Sequence, residues 1–395
     1  MQINPIHQQF QVTFSYIVHF TEELFNPANL LLRQLIAQDD EGGQRKLFFV
    51  VDNGVNEAHP QLQAAITTYF KTHADVLSMT GEYTVIPGGE QCKNNPELVQ
   101  QLLEAVNTYG IDRHSYMVAI GGGAMLDMVG YVASIAHRGI RHIRIPTTVL
   151  SQNDSGIGVK NSVNAFGKKN FLGNFAPPYA VLNDFNFLTT LHDRDWRSGI
   201  SEAIKVSLIK DKVFFRFIQE NAEKLAQRDM PAMQYLIYRC AEMHLQHIAG
   251  GDPFEQGSSR PLDFGHWSAH KLEALSNYQI RHGEAVAMGI ALDSVYSHLQ
   301  GSLSAAELEQ ILTVIRTLGF DLYAPEMGQH LEDATQPASL LHGLEEFREH
   351  LGGKLTIMLL TQIGKGIEVN DMNNQLVVKA IKWLEQYQEA QVSVG

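Results

Sequence analysis

Three histidines crowd one stretch of the chain, RPLDFGHWSAHKLEALSNYQIRHGE, residues 260–284. His266 and His270 stand four apart, so on a helix they share a face. His282 follows sixteen residues after the first, ahead of a Gly-Glu that opens another apolar helix. Imidazole suits zinc, and a catalytic zinc takes three protein ligands and keeps one position open. Glu202, in the helical stretch GISEAIK, could supply a carboxylate for the third place. Lys205 lies three residues on, on the same helical face. A simple Glu–Lys pair is the plainer reading of these two. A metal ligand with a substrate-binding lysine beside it is the sharper one. A chain with 17 His gathers some by chance, so the cluster gains meaning only from its surroundings.

Other pieces could also do chemistry. Gly121, Gly122 and Gly123 fall between an apolar strand and a helix. Such a turn lets a pyrophosphate approach the backbone and the N–H groups of the helix start, although a tight turn alone explains it equally well. Asp52 and Asn53 end an earlier strand, where a ribose is often held and where turn formers are also common. The segment 146–170, PTTVLSQNDSGIGVKNSVNAFGKKN, is too long for an ordinary connection, and long ordered loops are usually functional. It carries Asp154, Lys160, Lys168, Lys169 and Asn170. Lysines gathered in one loop of an acidic protein suit phosphate or carboxylate.

These pieces need a scaffold. Val12 to Phe20 alternate as a strand, Asn26-Pro27 starts a helix, and 47–55 is the apolar run of a strand buried on both faces. A helix over 57–73, strands at 83–93, 115–121 and 140–150, and a helix opened by Pro96 complete an alternating pattern. That pattern predicts α/β: an N-terminal doubly wound, Rossmann-like parallel-sheet domain over 1–187. Helical spacing then dominates, at 194–210, 213–226, 231–250, 267–277, 283–300 and 305–318, with a strand-like piece at 354–364. This predicts a mostly α-helical, metal-binding C-terminal domain over 188–395, with the site in the cleft between the two. The 395 residues are 44% hydrophobic and carry a net charge of −13 without a basic run, which argues against nucleic acid and anionic membranes. Cys92 and Cys240 read as reduced thiols, and neither a signal peptide nor a membrane-length apolar run is present, so a cytoplasmic protein is expected.

Taken together, PGGEQCK, IGGGAMLD, HRGI, PTTVLSQNDSGIGVK, KKNFLGNFAPP, GISEAIK, DFGHWSAHKLE and HGEAVAMGI resemble the 3-dehydroquinate synthase superfamily, the sugar phosphate cyclases. The match runs in order over residues 12–300. The resemblance implies NAD and a divalent ion, zinc or one such as cobalt, held by Glu202, His266 and His282. It implies NAD contacts from Asp52, Asn53, Glu90, Lys93, Gly121, Gly122, Gly123, Asp127, Thr147, Thr148, Lys160, Lys169, Phe187 and Thr190. It implies catalytic or substrate roles for Arg138, Asp154, Lys160, Asn170, Lys205, Asp263 and His270, a phosphorylated sugar substrate, and a homodimer. In the reaction it implies, NAD oxidises a ring hydroxyl, phosphate leaves by β-elimination, the hydride returns, and an aldol step closes a carbocycle.

The chain departs from the synthase pattern RxxLNFGHTxGH. Asp263 replaces Asn, Trp267 replaces Thr, and Arg260 is one place too close to His266. A lysine expected upstream is missing from HLQHIAGGD (244–252), and Arg348 and His350 stand where a late lysine pair is expected. These losses weaken capture of a substrate carboxylate. A heptulose phosphate resembling sedoheptulose 7-phosphate is therefore the expected substrate, and the motifs are most similar to the EboD-type dehydroquinate-synthase-like proteins. The alternatives are a true 3-dehydroquinate synthase and a metal-dependent NAD alcohol or glycerol dehydrogenase.

Overall fold

The structure is a computed structural model and describes residues 5–38, 42–81, 83–250, 254 and 263–392. The first half folds as alternating strands and helices: β1 (Ile17–Thr21), α1 (Leu31–Ala37), β2 (Arg45–Asp52), α2 (Asn53–Ala58), α3 (Leu62–Thr72), β3 (Leu77–Met79), β4 (Thr84–Ile86), α4 (Pro96–Thr108), β5 (Tyr116–Gly121), α5 (Gly123–Ile135) and β6 (Arg141–Pro146). A hairpin of β7 (Lys160–Ala165) and β8 (Lys168–Phe175) precedes β9 (Ala180–Asp184). Seven strands form one sheet in the order β1-β9-β6-β5-β2-β3, with β4 also on β2, and every pairing in it is parallel.

The period of two in β2 shows why this sheet has two apolar faces. Leu47, Phe49 and Val51 pack with α1 and α3, and Phe48 and Val50 pack with α4 and α5. β6 differs. Ile143 and Ile145 join the first face, but His142 and Arg144 point to the other and are buried. Arg144 Nη1 donates to the carbonyls of Gly156 (3.2 Å) and Gly158 (2.9 Å), and Nη2 donates to Lys160 O (3.0 Å) and Asn161 Oδ1 (2.6 Å). A buried guanidinium needs such partners, and here both terminal nitrogens have them while Nε does not. Here the match fixes the chain between β6 and β7 to the sheet.

The second half is helical: α6 (Asp193–Lys210), α7 (Lys212–Glu220), α8 (Ala222–Ala226), α9 (Met230–Ala249), α10 (His266–Leu275), α11 (His282–Leu299), α12 (Ala305–Thr317) and α13 (His342–His350). A two-stranded β10 (Ile357–Gln362) and β11 (Lys365–Val369) and the helix α14 (Asn374–Val392) close it. One large apolar cluster, with Trp196, Phe214, Phe215, Trp267 and Leu292 in it, unites these helices.

Two local expectations are corrected. Of the alternating stretch 12–20, only the part from Ile17 pairs with a neighbour; Val12 and Phe14 are exposed and lack a ladder. The segment 146–170 is not a loop. It contains a π-helical turn at Ser151–Ser155 and most of the β7–β8 hairpin.

Candidate active site

α6 is buried almost throughout from Trp196 to Ile209, and Glu202 and Lys205 are buried with it. Charged groups seldom sit in such a place unless paired. The Lys205 ammonium lies against Glu202 Oε2. Oε1 of the same carboxylate is 3.5 Å from His266 Nε2 and 3.5 Å from His282 Nε2. Burial opposes ionisation of Glu202, yet Lys205 and the histidines outweigh it and hold its carboxyl well below the usual range. Burial likewise works against the Lys205 ammonium, but Glu202, Asp154 and Asp263 hold its pKa above the ordinary value.

The three side chains converge because of two close helix contacts. A Cβ on Gly283 would lie 2.2 Å from Ser198 O, so α11 meets α6 backbone to backbone at its first turn, beside His282. A Cβ on Gly199 would lie 2.4 Å from Leu150 N, which seats α6 on the chain leaving β6. Asn153 Nδ2 donates to Gly199 O across that seam at 2.7 Å.

The set fits a divalent ion. His266 Nδ1 is engaged with Phe264 O at 3.2 Å, and His282 Nδ1 with Glu273 Oε2 at 3.2 Å. Nδ1–H donation leaves each Nε2 lone pair turned toward Glu202, the orientation that outer-shell acceptors give to zinc-binding histidines. Neither Glu202 oxygen receives a well-formed hydrogen bond, and the ligand atoms of Glu202, His266 and His282 lie within 4.8 Å of one another. His270, one turn after His266, opens to solvent with its ring 5.5 Å from that of His266 and 6.0 Å from that of His282.

Glu273 escaped the sequence reading. It falls seven residues after His266, on the face that also carries His270. That periodicity could have revealed it. His244 on α9 was missed too, and its Nδ1 stands 2.9 Å from Asp154 Oδ1 in the π-helical turn. A third omission is Asp293 on α11, fully buried, which accepts from Gly265 N at 3.1 Å and Trp267 Nε1 at 2.9 Å on either side of His266.

The anion-binding pieces assemble at the ends of β5 and β6. Gly121 closes β5, Gly122 caps α5 without a side-chain acceptor, and Gly123 begins the helix. The Gly122 N–H meets the Asp52 carboxylate, and a glycine turn opening a helix in this way fits a dinucleotide pyrophosphate. Asp52 caps α2 by accepting from Gly54 N at 2.8 Å, and Asn53 Oδ1 accepts from Gly88 N at 3.1 Å, knitting the turn after β4 to the sheet edge. Thr147 N donates to Gly121 O at 3.1 Å, while the Thr148 hydroxyl pairs with Ser151 Oγ at 2.8 Å. Lys93, buried, donates to Asp127 Oδ2 at 2.8 Å and to Asn170 Oδ1 at 2.5 Å. Asn164 links Glu90 (3.3 Å) to the N–H of Asn170 (2.7 Å). Lys160 opens β7, and Lys169 on β8 reaches Glu273 Oε1 at 3.5 Å. Phe187 and Thr190 lie on the 3-10 turn Phe185–Thr190, where Thr190 Oγ1 meets His59 Nε2 at 2.8 Å.

Arg138 stands apart from the glycine turn. It sits in the 3-10 turn Ala136–Arg138, beyond the far end of α5 from the glycine turn and just before β6 begins. Thirteen helical residues separate the two ends, about 20 Å at 1.5 Å each, so within one chain Arg138 does not reach the glycine turn. Arg348 is exposed and pairs with Glu345 on its own helix, with Nε 2.9 Å from Oε2. Arg260 lies outside the described residues, as does the side chain of His350. Cys92 and Cys240 are buried free thiols whose pKa burial pushes up, to about 12 for Cys92. Among the described residues no helix is long and apolar enough to cross a membrane.

The overall fold is shared with solved sugar phosphate cyclases. The 2-epi-5-epi-valiolone synthase of Streptomyces hygroscopicus subsp. jinggangensis, solved with NAD+ and Zn2+, superposes with a TM-score of 0.83 at 29% identity, covering 97% of this chain and 100% of that one. A 2-deoxy-scyllo-inosose synthase complexed with carbaglucose-6-phosphate, NAD+ and Co2+ shares the fold, with a TM-score of 0.75 at 23% identity over 93% of this chain and 96% of that one. The class is therefore that of phosphate-eliminating sugar phosphate cyclases. Models of the N-terminal and C-terminal parts of 3-dehydroquinate synthase match residues 83–198 and 199–343, and the 3-dehydroquinate synthase of Dictyoglomus turgidum is 33% identical over 313 residues, 79% of this chain and 85% of the relative. The chain belongs to the 3-dehydroquinate synthase family.

Proposed function

We propose that this enzyme closes a heptulose phosphate lacking a carboxylate, such as sedoheptulose 7-phosphate, into a carbocycle, with NAD and zinc as its cofactors. The observation that carries the substrate choice is the charge around Lys205. Glu202, Asp154 and Asp263 all act on this one ammonium. A divalent ion on Glu202, His266 and His282 brings that group to neutrality, so the group itself offers no surplus positive charge to a substrate carboxylate. An anion buried there without a partner costs several kcal/mol. Bound NAD supplies reversible hydride transfer and bound zinc a Lewis acid.

The chain's own groups do the rest. Lys160 and Lys169 on the hairpin bind the phosphate and cofactor. Lys205 Nζ and Asp154 Oδ2 orient the ring hydroxyls. His270, at the solvent-facing lip, moves a proton at its imidazole. Asp263 accepts from sugar hydroxyls. Residues 1–187 and 188–395 form the two domains of a cytoplasmic homodimer, and Arg138 has its role outside the site of its own chain.

A second reading is a true 3-dehydroquinate synthase, favoured by the curated relatives of that name. The experiment is phosphate release with sedoheptulose 7-phosphate and with the carboxylated dehydroquinate precursor, side by side. The first should have the higher kcat/KM; the reverse order establishes the second reading.

A further inference from the structure

We infer that Glu273 is a positioning residue that couples the metal pocket to the lysine-bearing hairpin. The inference rests on the reading of this site as an NAD- and zinc-binding one. Glu273 is buried at 6% exposure on α10, and a buried carboxylate needs partners for both oxygens. Its partners come from different lobes. Oε2 is 3.2 Å from Nδ1 of His282, the first residue of α11, and Oε1 is 3.5 Å from Nζ of Lys169 on β8.

The two contacts have different consequences. The first fixes the His282 tautomer, with the proton on Nδ1 and the Nε2 lone pair facing Glu202. Losing such an outer acceptor typically costs 10–100-fold in metal affinity. The second holds the ammonium of the hairpin over the same helix. Lys169 is one-third exposed, so the pair gains little by itself; its value is in ordering a long side chain at the cleft. A metal ion on His282 Nε2 makes Nδ1–H a stronger donor and fixes Glu273 in the rotamer that also receives Lys169. Metal loading and anion binding at the hairpin therefore reinforce each other, and by linkage the factor is the same in both directions.

A competing use of Glu273 exists. His270, Glu273 and His282 also lie within 4.8 Å of one another and could ligate an ion themselves. That arrangement takes His282 away from Glu202, whose Oε1 it faces at 3.5 Å, so the orienting role is the one the geometry favours.

The test uses full-length wild type, Glu273→Gln and Lys169→Met. Zinc affinity is measured by competition with a chromogenic chelator, and NAD affinity by calorimetry with and without zinc. Glu273→Gln should weaken zinc 10–100-fold. Lys169→Met should keep zinc affinity within threefold while weakening NAD. Wild type should bind NAD more tightly with zinc than without, and that ratio should fall to one in both variants. Wild-type zinc affinity in Glu273→Gln, a ratio that survives in both variants, or two zinc ions per wild-type chain would overturn the inference while leaving the proposed function intact. Failure of wild type to bind zinc and NAD at all would remove both.

Discussion

Replacing Gly283 by Ala should disable the metal pocket without touching a ligand. The added Cβ would stand 2.2 Å from Ser198 O and 2.6 Å from Ser198 Cα, where ordinary contact begins at 3.4 Å. Both obstacles are backbone, so no side chain can swing aside. The first turn of α11 must retreat from α6 by about 1 Å. His282 is the preceding residue, and metal–ligand distances are tolerated only within about 0.2 Å. A retreat about five times that tolerance opens the site. We expect zinc affinity to fall at least 100-fold, about 2.7 kcal/mol, in addition to the 1–3 kcal/mol usual for overpacking. Competition with a chromogenic chelator reads the first effect, and urea unfolding of the metal-free protein reads the second. Ser198→Gly in the same chain should not rescue, because the conflict is with the main chain. Zinc binding within threefold of wild type in Gly283→Ala would refute the claim that this close contact sets the pocket.

Two further outcomes follow from the same geometry. Burial raises the Asp293 carboxyl from 3.8 to about 7. Between those values the unfolded chain has lost this proton and the folded one keeps it, so Asp293 lowers stability as pH rises from 4 to 7, by about 4 kcal/mol in total, with no further change above. Urea unfolding of wild type and Asp293→Asn across that range should show their stability difference moving by this amount, and a difference independent of pH would disprove the burial argument. His266→Ala should abolish turnover, and adding a chelator should lower the wild-type melting temperature but not that of the variant; equal chelator shifts would exclude His266 as a ligand.

Much of the site was legible because its signals are local. Glu202 and Lys205 sit in an apolar helix where charge is conspicuous, and His266 and His270 share a helical period. The glycines between β5 and α5 announce a close turn. The hairpin was hidden for a physical reason. β8 is exposed on nearly every residue, so no alternation marks it, and its polar sequence reads as loop. Arg144 carries no local signal either, since its four acceptors lie 12–17 residues away. Glu273 was obscured because its partner His282 arrives across a turn rather than along the helix. Arg138 is the opposite case: its stretch HRGI is recognisable, but only the fold places it at the end of α5 away from the glycine turn.

The division of the site between two lobes also bears on how such an enzyme can diversify. Glu202, His266 and His282 all belong to the helical half, locked by backbone contacts that tolerate not even a methyl group. Lys169 and Asn170 ride on β8, which is exposed on nearly every residue. Natural variation can therefore remodel β8, and with it the shape and charge of the molecule accepted, while the Glu–His–His pocket is inherited unchanged.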